Sequence, residues 1–177
     1  VLAKDLLFAT LDPTMRNLTL PSGRTIILSD TVGFISELPT TLIASFRATL
    51  EEVLAADIIL HVRDVSHDET EAQSLDVNLV LEELGIHEER RSQIIEVWNK
   101  ADLLDPLALA TREAQAQRRD DCVLVSSLDG QGIEELLGKV EKRLAKKSTV
   151  YEIMIDAADG KGMAWLHQRG EVLARKA

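Results

Sequence analysis

Residues 94–102 read I-I-E-V-W-N-K-A-D, a near-continuous apolar run that ends in a polar cluster. Such a run is typical of a strand that is covered on both faces, as strands of parallel sheets are. Residues 57–62 (D-I-I-L-H-V) and residues 122–125 (C-V-L-V) show the same pattern. Apolar residues at helical spacing mark helices over residues 42–54, 75–84 and 133–144. The alternation of strands and helices predicts an α/β fold in three layers, with a mostly parallel sheet between helices.

The pattern of the chain changes near its C-terminal end. Tyr151, Ile153 and Ile155 alternate with polar residues, and a short mixed segment follows them. Alternation with a period of two is typical of a half-exposed strand. We therefore expect a main domain over residues 1–147 and a small α+β C-terminal subdomain over residues 148–177.

Composition limits the classes of protein that this chain can belong to. The 177 residues carry 30 acidic and 20 basic side chains, a net charge of −10, and 45% of them are apolar, as in folded globular domains. The single cysteine excludes a disulfide framework, and no apolar run approaches the roughly 20 residues that span a bilayer. The acidic balance argues against a nucleic-acid footprint over the whole surface. Because the chain opens at Val1 without an initiator Met, we expect it to be part of a longer protein.

Three polar clusters directly follow strand patterns. They are residues 30–33 (D-T-V-G), residues 99–102 (N-K-A-D) and residues 126–127 (S-S). Ligands of open α/β sheets bind at the carboxyl ends of the strands, which is where these clusters would meet. A D-x-x-G sequence by itself is most often a turn that ends a strand. The order and spacing of all three clusters, however, favour one shared ligand site.

The cluster at residues 99–102 has the side chains that recognition of a guanine base requires. The Asp102 carboxylate can accept hydrogen bonds from the ring N–H and the exocyclic amine of guanine, a pair of donors that adenine lacks. Asn99 can tie the base edge to neighbouring loops, and the aliphatic stem of Lys100 can lie along the flat purine face. The alternative is a capped turn into the next helix, with Asp102 bonded to local N–H groups.

Longer motifs add to these clusters. Residues 7–14 read L-F-A-T-L-D-P-T, residues 29–35 read S-D-T-V-G-F-I, and residues 46–52 read F-R-A-T-L-E-E. Together with N-K-A-D and S-S, they make the chain resemble a G domain, and more narrowly the HflX family of ribosome-associated GTPases. The resemblance covers nearly the whole chain, and it implies the three-layer G-domain fold of P-loop NTPases.

For the phosphates and the metal, the resemblance implies three roles. Thr10, in the first switch, would bind Mg²⁺ through its hydroxyl and direct its backbone N–H toward the γ-phosphate. Asp30, in the second switch, would hold the Mg²⁺ shell through a water, as a hard oxygen ligand does. Gly33 would place its backbone N–H on the γ-phosphate, where a Cβ would obstruct close approach. Thr10 and Asp30 are therefore the implied metal residues.

For the base, the resemblance implies that N-K-A-D selects guanine and that Ser126 and Ser127 close over it through backbone N–H groups. The full set of implied nucleotide contacts is Phe8, Ala9, Thr10, Leu11, Asp12, Asp30, Thr31, Val32, Gly33, Asn99, Lys100, Ala101, Asp102, Ser126, Ser127 and Leu128.

The activity that the resemblance implies is hydrolysis of GTP to GDP and phosphate, with Mg²⁺ as the cofactor. Such a protein would bind the 50S ribosomal subunit, through ribosomal RNA, and split or rescue stalled ribosomes in the cytoplasm. The sequence leaves the oligomeric state open, with a monomer as the expectation. Phe34 stands where Ras-like enzymes carry the glutamine that orients the attacking water, so hydrolysis needs another group or a partner. The implied site therefore contains no catalytic side chain.

The 177 residues contain no G-x-x-x-x-G-K-[ST] phosphate loop. Residues 16–20 and 25–29 also read as strands, on either side of a turn at P-S-G. In the family's fold, the strand before the phosphate loop lies mid-sheet, between the strands predicted at residues 25–29 and 57–62. We therefore expect further residues upstream, with GTPase activity in the complete protein and none in this chain alone. The alternative is a non-catalytic module that binds ribosome or nucleotide without turnover. A doubly wound domain for another ligand would require the three clusters to align by chance.

Overall fold

The structure is a computed structural model that describes residues 14–30, 53–83, 85–86, 90, 93–146, 151–156, 158–170, 172 and 174. The chain divides into two compact units, Val1–Lys147 and Ser148–Ala177. None of the helices within the described ranges is both long and apolar enough to cross a membrane.

The described part of the first unit contains a hairpin and a parallel sheet. The strands of the antiparallel hairpin are β1 (Thr14–Thr19) and β2 (Thr25–Asp30). The parallel sheet has the order β3 (Ile59–Asp64), β4 (Ile94–Asn99) and β5 (Cys122–Leu124). The helices are α1 (Thr70–Glu83), α2 (Pro106–Gln117) and α3 (Ile133–Lys146). Parallel neighbours need a crossover connection, and α1 and α2 supply the two crossovers, which confirms the predicted α/β fold.

Most of the predicted elements that fall within the described ranges are present. The three apolar runs form β3, β4 and β5, and the helices predicted at residues 75–84 and 133–144 are α1 and α3. The sequence did not predict α2, whose apolar periodicity is weak. Its start is nevertheless well marked, because the Asp105 side chain accepts hydrogen bonds from the backbone N–H groups of Leu107 and Ala108, both at 2.9 Å. The helix predicted at residues 42–54 lies mostly outside the described residues.

The hairpin ends in a tight turn next to α3. Leu20 N–H donates to Arg24 O at 2.8 Å, and Gly23, at a φ of 89°, takes the left-handed conformation that the turn requires. The backbone N–H of Ser22 donates to a carboxylate oxygen of Glu141 at 3.0 Å. Because β2 and β3 belong to separate sheets, the further strand expected between them stays a prediction.

One face of the parallel sheet packs on α3, and we call it the α3 face. Ile95, Val97 and Val123 point to this side and are at most 3% exposed. They pack with Leu136 and Val140, the buried residues of α3. The packed side chains of this contact are apolar, so removing their hydrocarbon surface from water stabilises it. Two hydrogen bonds to strand carbonyls add to it, from Lys139 Nζ to Cys122 O at 2.6 Å and from Arg143 Nη1 to Ile94 O at 3.0 Å.

The opposite face packs on α2, and we call it the α2 face. Its buried apolar residues include Trp98, Cys122 and Leu124 from the strands and Ala116 from the helix. Since side chains alternate along a strand, neighbouring residues of β4 contribute to opposite faces.

A network of charged side chains also lies on the α2 face. The Glu96 carboxylate accepts hydrogen bonds from Trp98 Nε1 at 2.9 Å, Arg63 Nη1 at 3.0 Å and Arg119 Nη2 at 2.9 Å. Arg63 is only 7% exposed, and its Nη2 also donates to Glu71 at 2.8 Å. We call these residues, Arg63, Glu71, Glu96, Trp98 and Arg119, the Trp98 cluster.

The surroundings of this face shift three pKa values. Burial alone would raise the pKa of Glu96, but the hydrogen bonds from Trp98 and Arg119 and the charge of Arg119 outweigh it, so the pKa lies below its usual value. Burial lowers the pKa of the His61 imidazole, and the nearby Glu96 carboxylate opposes this only in part. Burial raises the pKa of the Cys122 thiol to about 12.

The described part of the second unit contains one helix, α4 (Gly160–Arg169). The strand indicated by the alternation at residues 151–155 is not present: residues 151–156 are irregular and mostly exposed, without a neighbouring strand to pair with in the described part of the unit. Asp159 caps it, because its Oδ1 accepts a hydrogen bond from Gly162 N–H at 2.8 Å. The Arg169 guanidinium carbon lies 5.6 Å from the centroid of the Trp165 ring, within reach of a cation–π contact.

Candidate functional site

The N-K-A-D cluster forms a tight turn at the carboxyl end of β4. Lys100 has a φ of 66° and a ψ of 37°, and it is the one residue other than glycine with a positive φ in the described ranges. A short 3₁₀ helix, Ala101–Leu103, follows at once. Ala101 is buried, and its N–H donates to Val125 O at 3.1 Å. The turn is therefore anchored on the loop that follows β5.

That loop holds the Asp102 carboxylate in place. Ser126 is fully buried, and its Oγ donates to Asp102 Oδ1 at 2.7 Å. The backbone N–H of Ser126 donates to Gln131 O at 3.0 Å, and the N–H of Asp129 reaches Ser126 Oγ at 3.4 Å. The hydroxyl is thus fixed as a donor to Asp102, whose side chain is itself exposed to solvent.

A second contact joins the two loops. The backbone N–H of Ser127 donates to Asn99 Oδ1 at 3.0 Å, so the Asn99 amide is oriented from the β5 side. Leu128, which was also predicted to contact the nucleotide, is 83% exposed. The structure therefore brings Asn99, Asp102, Ser126 and Ser127 together. The role of the two serine N–H groups at a bound base stays a prediction, because both are donated within the protein here.

A glycine makes the loop after β5 possible. Gly132 has a φ of 75°, a conformation that side chains other than glycine rarely adopt. A Cβ at this position would overlap the carbonyl oxygen of Leu124. The close approach lets the loop fold back so that Ser126 lies beneath Asp102. Sequence reasoning passed over Gly132, although a glycine a few residues after a strand-ending serine is a turn signal.

Asp64 is a further site residue that sequence reasoning missed. It ends β3 in register with Asn99, and its Oδ2 lies 2.6 Å from Lys100 Nζ. Ser66 donates to Asp64 Oδ1 twice, from Oγ at 2.6 Å and from its backbone N–H at 3.0 Å. Burial alone would raise the pKa of Asp64, but the hydrogen bonds from Lys100 and Ser66 hold it below its usual value. A D-x-S sequence that begins at the last residue of a strand is the signal that was available.

Several predicted site residues lie outside the described residues. They are Phe8, Ala9, Thr10, Leu11, Asp12, Thr31, Val32, Gly33 and Phe34. Asp30 is described, and it is exposed at the carboxyl end of β2. Within the described ranges, no group of three or more His, Cys, Asp or Glu side chains is arranged to hold a metal ion. The metal site at Thr10 and Asp30 therefore stays a prediction.

The arrangement can read a planar ligand edge. Asp102 offers carboxylate oxygens that Ser126 orients without exhausting them, since each oxygen has more than one lone pair. Asn99 offers amide groups, and Lys100 a long aliphatic stem at the edge of the site. The Asp102 carboxylate and the Asn99 amide can discriminate a purine by its hydrogen-bonding edge rather than by its volume.

Comparisons with known proteins define the class. A family model described as 50S ribosome-binding GTPase matches residues 1–100, and one described as HflX C-terminal domain matches residues 111–177. The crystal structure of a mutation variant of SsGBP has a similar fold, with a TM-score of 0.61 and 23% identity, over 78% of this chain and 50% of that chain. Residues 1–100 thus belong to a GTPase domain, and the chain has the α/β fold of P-loop NTPases.

Similar proteins whose family is known show to which family of GTPases the chain belongs. A GTPase HflX from Magnetococcus marinus is 44% identical over 173 residues, which are 98% of this chain and 39% of that protein. A GTPase HflX from Caldanaerobacter subterraneus is 40% identical over 170 residues, 96% of this chain and 37% of that protein. The chain belongs to the HflX family of GTPases. It spans less than two fifths of the length of these two relatives.

Proposed function

We propose that the complete protein binds GTP and GDP, with the guanine base at the turn of β4 and the loop of β5, and hydrolyses GTP to GDP and phosphate. The observation that carries the proposal is the hydrogen bond from Ser126 Oγ to Asp102 Oδ1 at 2.7 Å. This hydrogen bond orients the exposed Asp102 carboxylate, which makes no other side-chain contact among the described residues. Membership in a GTPase family agrees with this assignment.

Selection of guanine follows from hydrogen-bond chemistry. The Asp102 carboxylate accepts from the ring N–H and the exocyclic amine together, whereas adenine presents no matching pair of donors. Asn99, held by the backbone N–H of Ser127, links the base edge to the β5 loop. In the bound state Ser126 and Ser127 close over the base.

Mg²⁺ is part of the proposal, with Thr10 and Asp30 as the residues that would hold it. Asp30 fits the ion, because an exposed carboxylate at the end of β2 is a hard oxygen donor. When bound, the ion neutralises charge on the phosphates. Gly33, Thr31 and Val32 would supply backbone contacts to the γ-phosphate beside it.

Turnover should be slow without a partner. Phe34 cannot orient a water molecule, so another group must do so, and a binding partner is the source we propose. The 177 residues also lack the phosphate-loop motif that supplies a backbone cradle and a lysine. Since phosphoryl transfer depends on positioning and charge stabilisation, this chain alone should bind GTP weakly and show negligible hydrolysis.

The partner we propose is the 50S ribosomal subunit, which the matched family is described as binding. The protein would act on it as a monomer in the cytoplasm, bind ribosomal RNA in the GTP state and split or rescue stalled ribosomes. Residues 1–147 would form the G domain and residues 148–177 a separate subdomain. Sedimentation of ribosomes with the complete protein and a non-hydrolysable GTP analogue tests this, and 70S particles that stay intact would contradict it.

The direct test of base selection is Asp102→Asn in the complete protein. GTP affinity should fall about 10- to 100-fold, because a charge-assisted bidentate pair is lost, worth on the order of 1.5–3 kcal/mol. Affinity for xanthosine triphosphate should rise, since xanthine has a carbonyl where guanine has its amine. Titration calorimetry measures both affinities, and the exposed Asp120→Asn is the matched control. Unchanged GTP affinity would remove the guanine site from this turn.

Hydrolysis needs its own measurement. Single-turnover phosphate release should be measured for the complete protein and for the 177-residue chain, with and without 50S subunits. We expect release from the complete protein, accelerated by the subunits, and none from the chain. Nucleotide binding without any release would favour the non-catalytic module instead.

A further inference from the structure

The lysine of the N-K-A-D turn has a dedicated anionic partner on the neighbouring strand. The last pair of the β3–β4 ladder joins Asp64 to Asn99, and Val65 N–H donates to Asn99 O at 3.1 Å just beyond it. Parallel pairing therefore fixes the Asp64 backbone beside the residue that precedes Lys100. The carboxylate is half-buried, so its position is set by the sheet and not by a mobile loop.

The two oxygens of this carboxylate have different partners. Oδ1 accepts both hydrogen bonds from Ser66, at 2.6 Å and 3.0 Å, which closes a turn directly after β3. Oδ2 faces Lys100 Nζ at 2.6 Å. Ser66 thus fixes the carboxylate rotation, and the rotation directs one oxygen at the ammonium group.

The backbone conformation of Lys100 makes such a partner useful. A left-handed conformation is unfavourable for a residue with a Cβ, and it turns the side chain away from the direction it would take in a continuing strand. A lysine side chain has four rotatable bonds, and fixing it on binding reduces affinity. A partner that holds it in advance removes part of that penalty.

We propose that Asp64 is a positioning residue that holds the Lys100 side chain in place for the purine ring of a bound guanine nucleotide, with Ser66 orienting Asp64. The proposal rests on the proposed guanine site. Asp64 acts through Lys100 and does not touch the base edge. Its loss should weaken binding of every purine nucleotide that the site accepts, and it should leave the preference between bases unchanged.

The test is a double-mutant cycle in the complete protein, with a fluorescent GDP derivative as the probe. Asp64→Asn should weaken binding about 2- to 10-fold, the effect of immobilising one long side chain on binding. Lys100→Met should weaken it at least as much. In the Lys100→Met background, Asp64→Asn should have no further effect, because its target is gone. Additive effects of the two substitutions would overturn the proposal.

Two further variants separate positioning from a general structural role. Ser66→Ala should weaken binding in the same direction by a smaller factor, and only while Lys100 is present. Asp68→Asn, an exposed aspartate in the same loop, should leave binding unchanged. Melting temperatures of all variants should stay near that of the parent protein, since the ion pair is partly exposed. Equal loss of affinity in Asp68→Asn would contradict the assignment.

The cycle also distinguishes this proposal from the one it rests on. If the unsubstituted protein fails to bind the GDP probe, the guanine site itself is wrong. If it binds and the Asp64→Asn variant binds equally well with Lys100 in place, the guanine site stands and the positioning role is wrong.

Discussion

The two faces of the parallel sheet are built from different chemistry, although their residues alternate along the same strands. On the α3 face, Ile95 and Val97 pack against apolar helix residues. Glu96 lies between Ile95 and Val97 in the sequence, but its side chain is on the α2 face. There it accepts hydrogen bonds from Trp98, Arg63 and Arg119. Alternate side chains of one strand are therefore held by two different kinds of interaction, apolar packing on one face and hydrogen bonds between charged groups on the other.

This difference predicts how each face responds to solution conditions. Apolar packing depends on buried area and is insensitive to pH and moderate salt. The Trp98 cluster depends on every charge in it having a partner, because a buried charge without one is costly. Substitutions on the two faces should therefore change the free energy of unfolding by different amounts and with a different dependence on pH.

The largest effect should come from breaking the α2 face with Glu96→Gln. Among the residues that the structure describes, the substitution leaves the almost fully buried Arg63 with the exposed Glu71 as its remaining ion-pair partner, and Arg119 with Asp121. We expect a loss of about 3 kcal/mol in the free energy of unfolding, measured by urea denaturation at pH 7. The exposed Glu83→Gln is the matched control and should change it by less than about 0.5 kcal/mol. A neutral Glu96→Gln would mean that the cluster is not an energetic unit.

The loss of unfolding free energy in Glu96→Gln should disappear at acidic pH. The folded-state pKa of Glu96 lies below its unfolded value, so the group contributes stability above the unfolded pKa of about 4.3 and loses it as the pH falls through the folded pKa. The unfolding free energies of parent and variant should therefore converge in that acidic range. A difference that persists below the folded pKa would show that packing, and not charge, is responsible.

The α3 face should respond to Ile95→Val with a smaller loss. One buried methylene is removed from a fully buried residue, which costs about 0.5–1.5 kcal/mol. The loss should be the same at pH 5 and pH 8 and in low or high salt. Ile27→Val in β2, where the side chain is 69% exposed, should be close to neutral. If the loss of unfolding free energy in Ile95→Val depended on pH, the two faces would not differ in the way described.

The smallest effect concerns His61 on β3. Because burial lowers its folded pKa below the unfolded value of about 6.5, the unfolded chain binds the proton more readily between the two values. Stability should therefore decrease as the pH falls from 7 through this range, and level off below the folded pKa. His61→Gln should remove this slope, as measured by urea unfolding at several pH values. An unchanged slope would assign it to other groups.

The features that could be predicted from the sequence are those formed by consecutive residues. The β4 run and N-K-A-D follow one another in the chain, so both the strand and the polar cluster at its end could be predicted from it. The Trp98 cluster joins residues that are 8, 23 and 33 positions apart, and no local pattern encodes such pairs. The partnership of Asp64 with Lys100 depends on the register of β3 against β4, which the sequence alone leaves undetermined.

The proposed guanine site shows the same limit at the level of single atoms. The order of Asn99, Asp102 and Ser126 predicted that they would meet at strand ends, and they do. The sequence did not reveal that Ser126 acts through its hydroxyl on Asp102, because this depends on the loop closure that Gly132 allows. The apolar pattern of the sequence therefore locates the ends of the strands. Contacts between loops that are distant in the sequence decide how the side-chain atoms of the candidate site are oriented.

Cys122 gives the sheet a chemical reporter of its own. It is the one cysteine in the chain, it is fully buried at the start of β5, and its pKa is raised to about 12. Thiol reagents attack the thiolate, so labelling at neutral pH requires β5 to open before the sulfur can be reached and deprotonated. The labelling rate of the unmodified protein therefore times the opening of the strand that leads into the Ser126 loop. A nucleotide that holds this loop closed would slow that rate without any probe having been introduced.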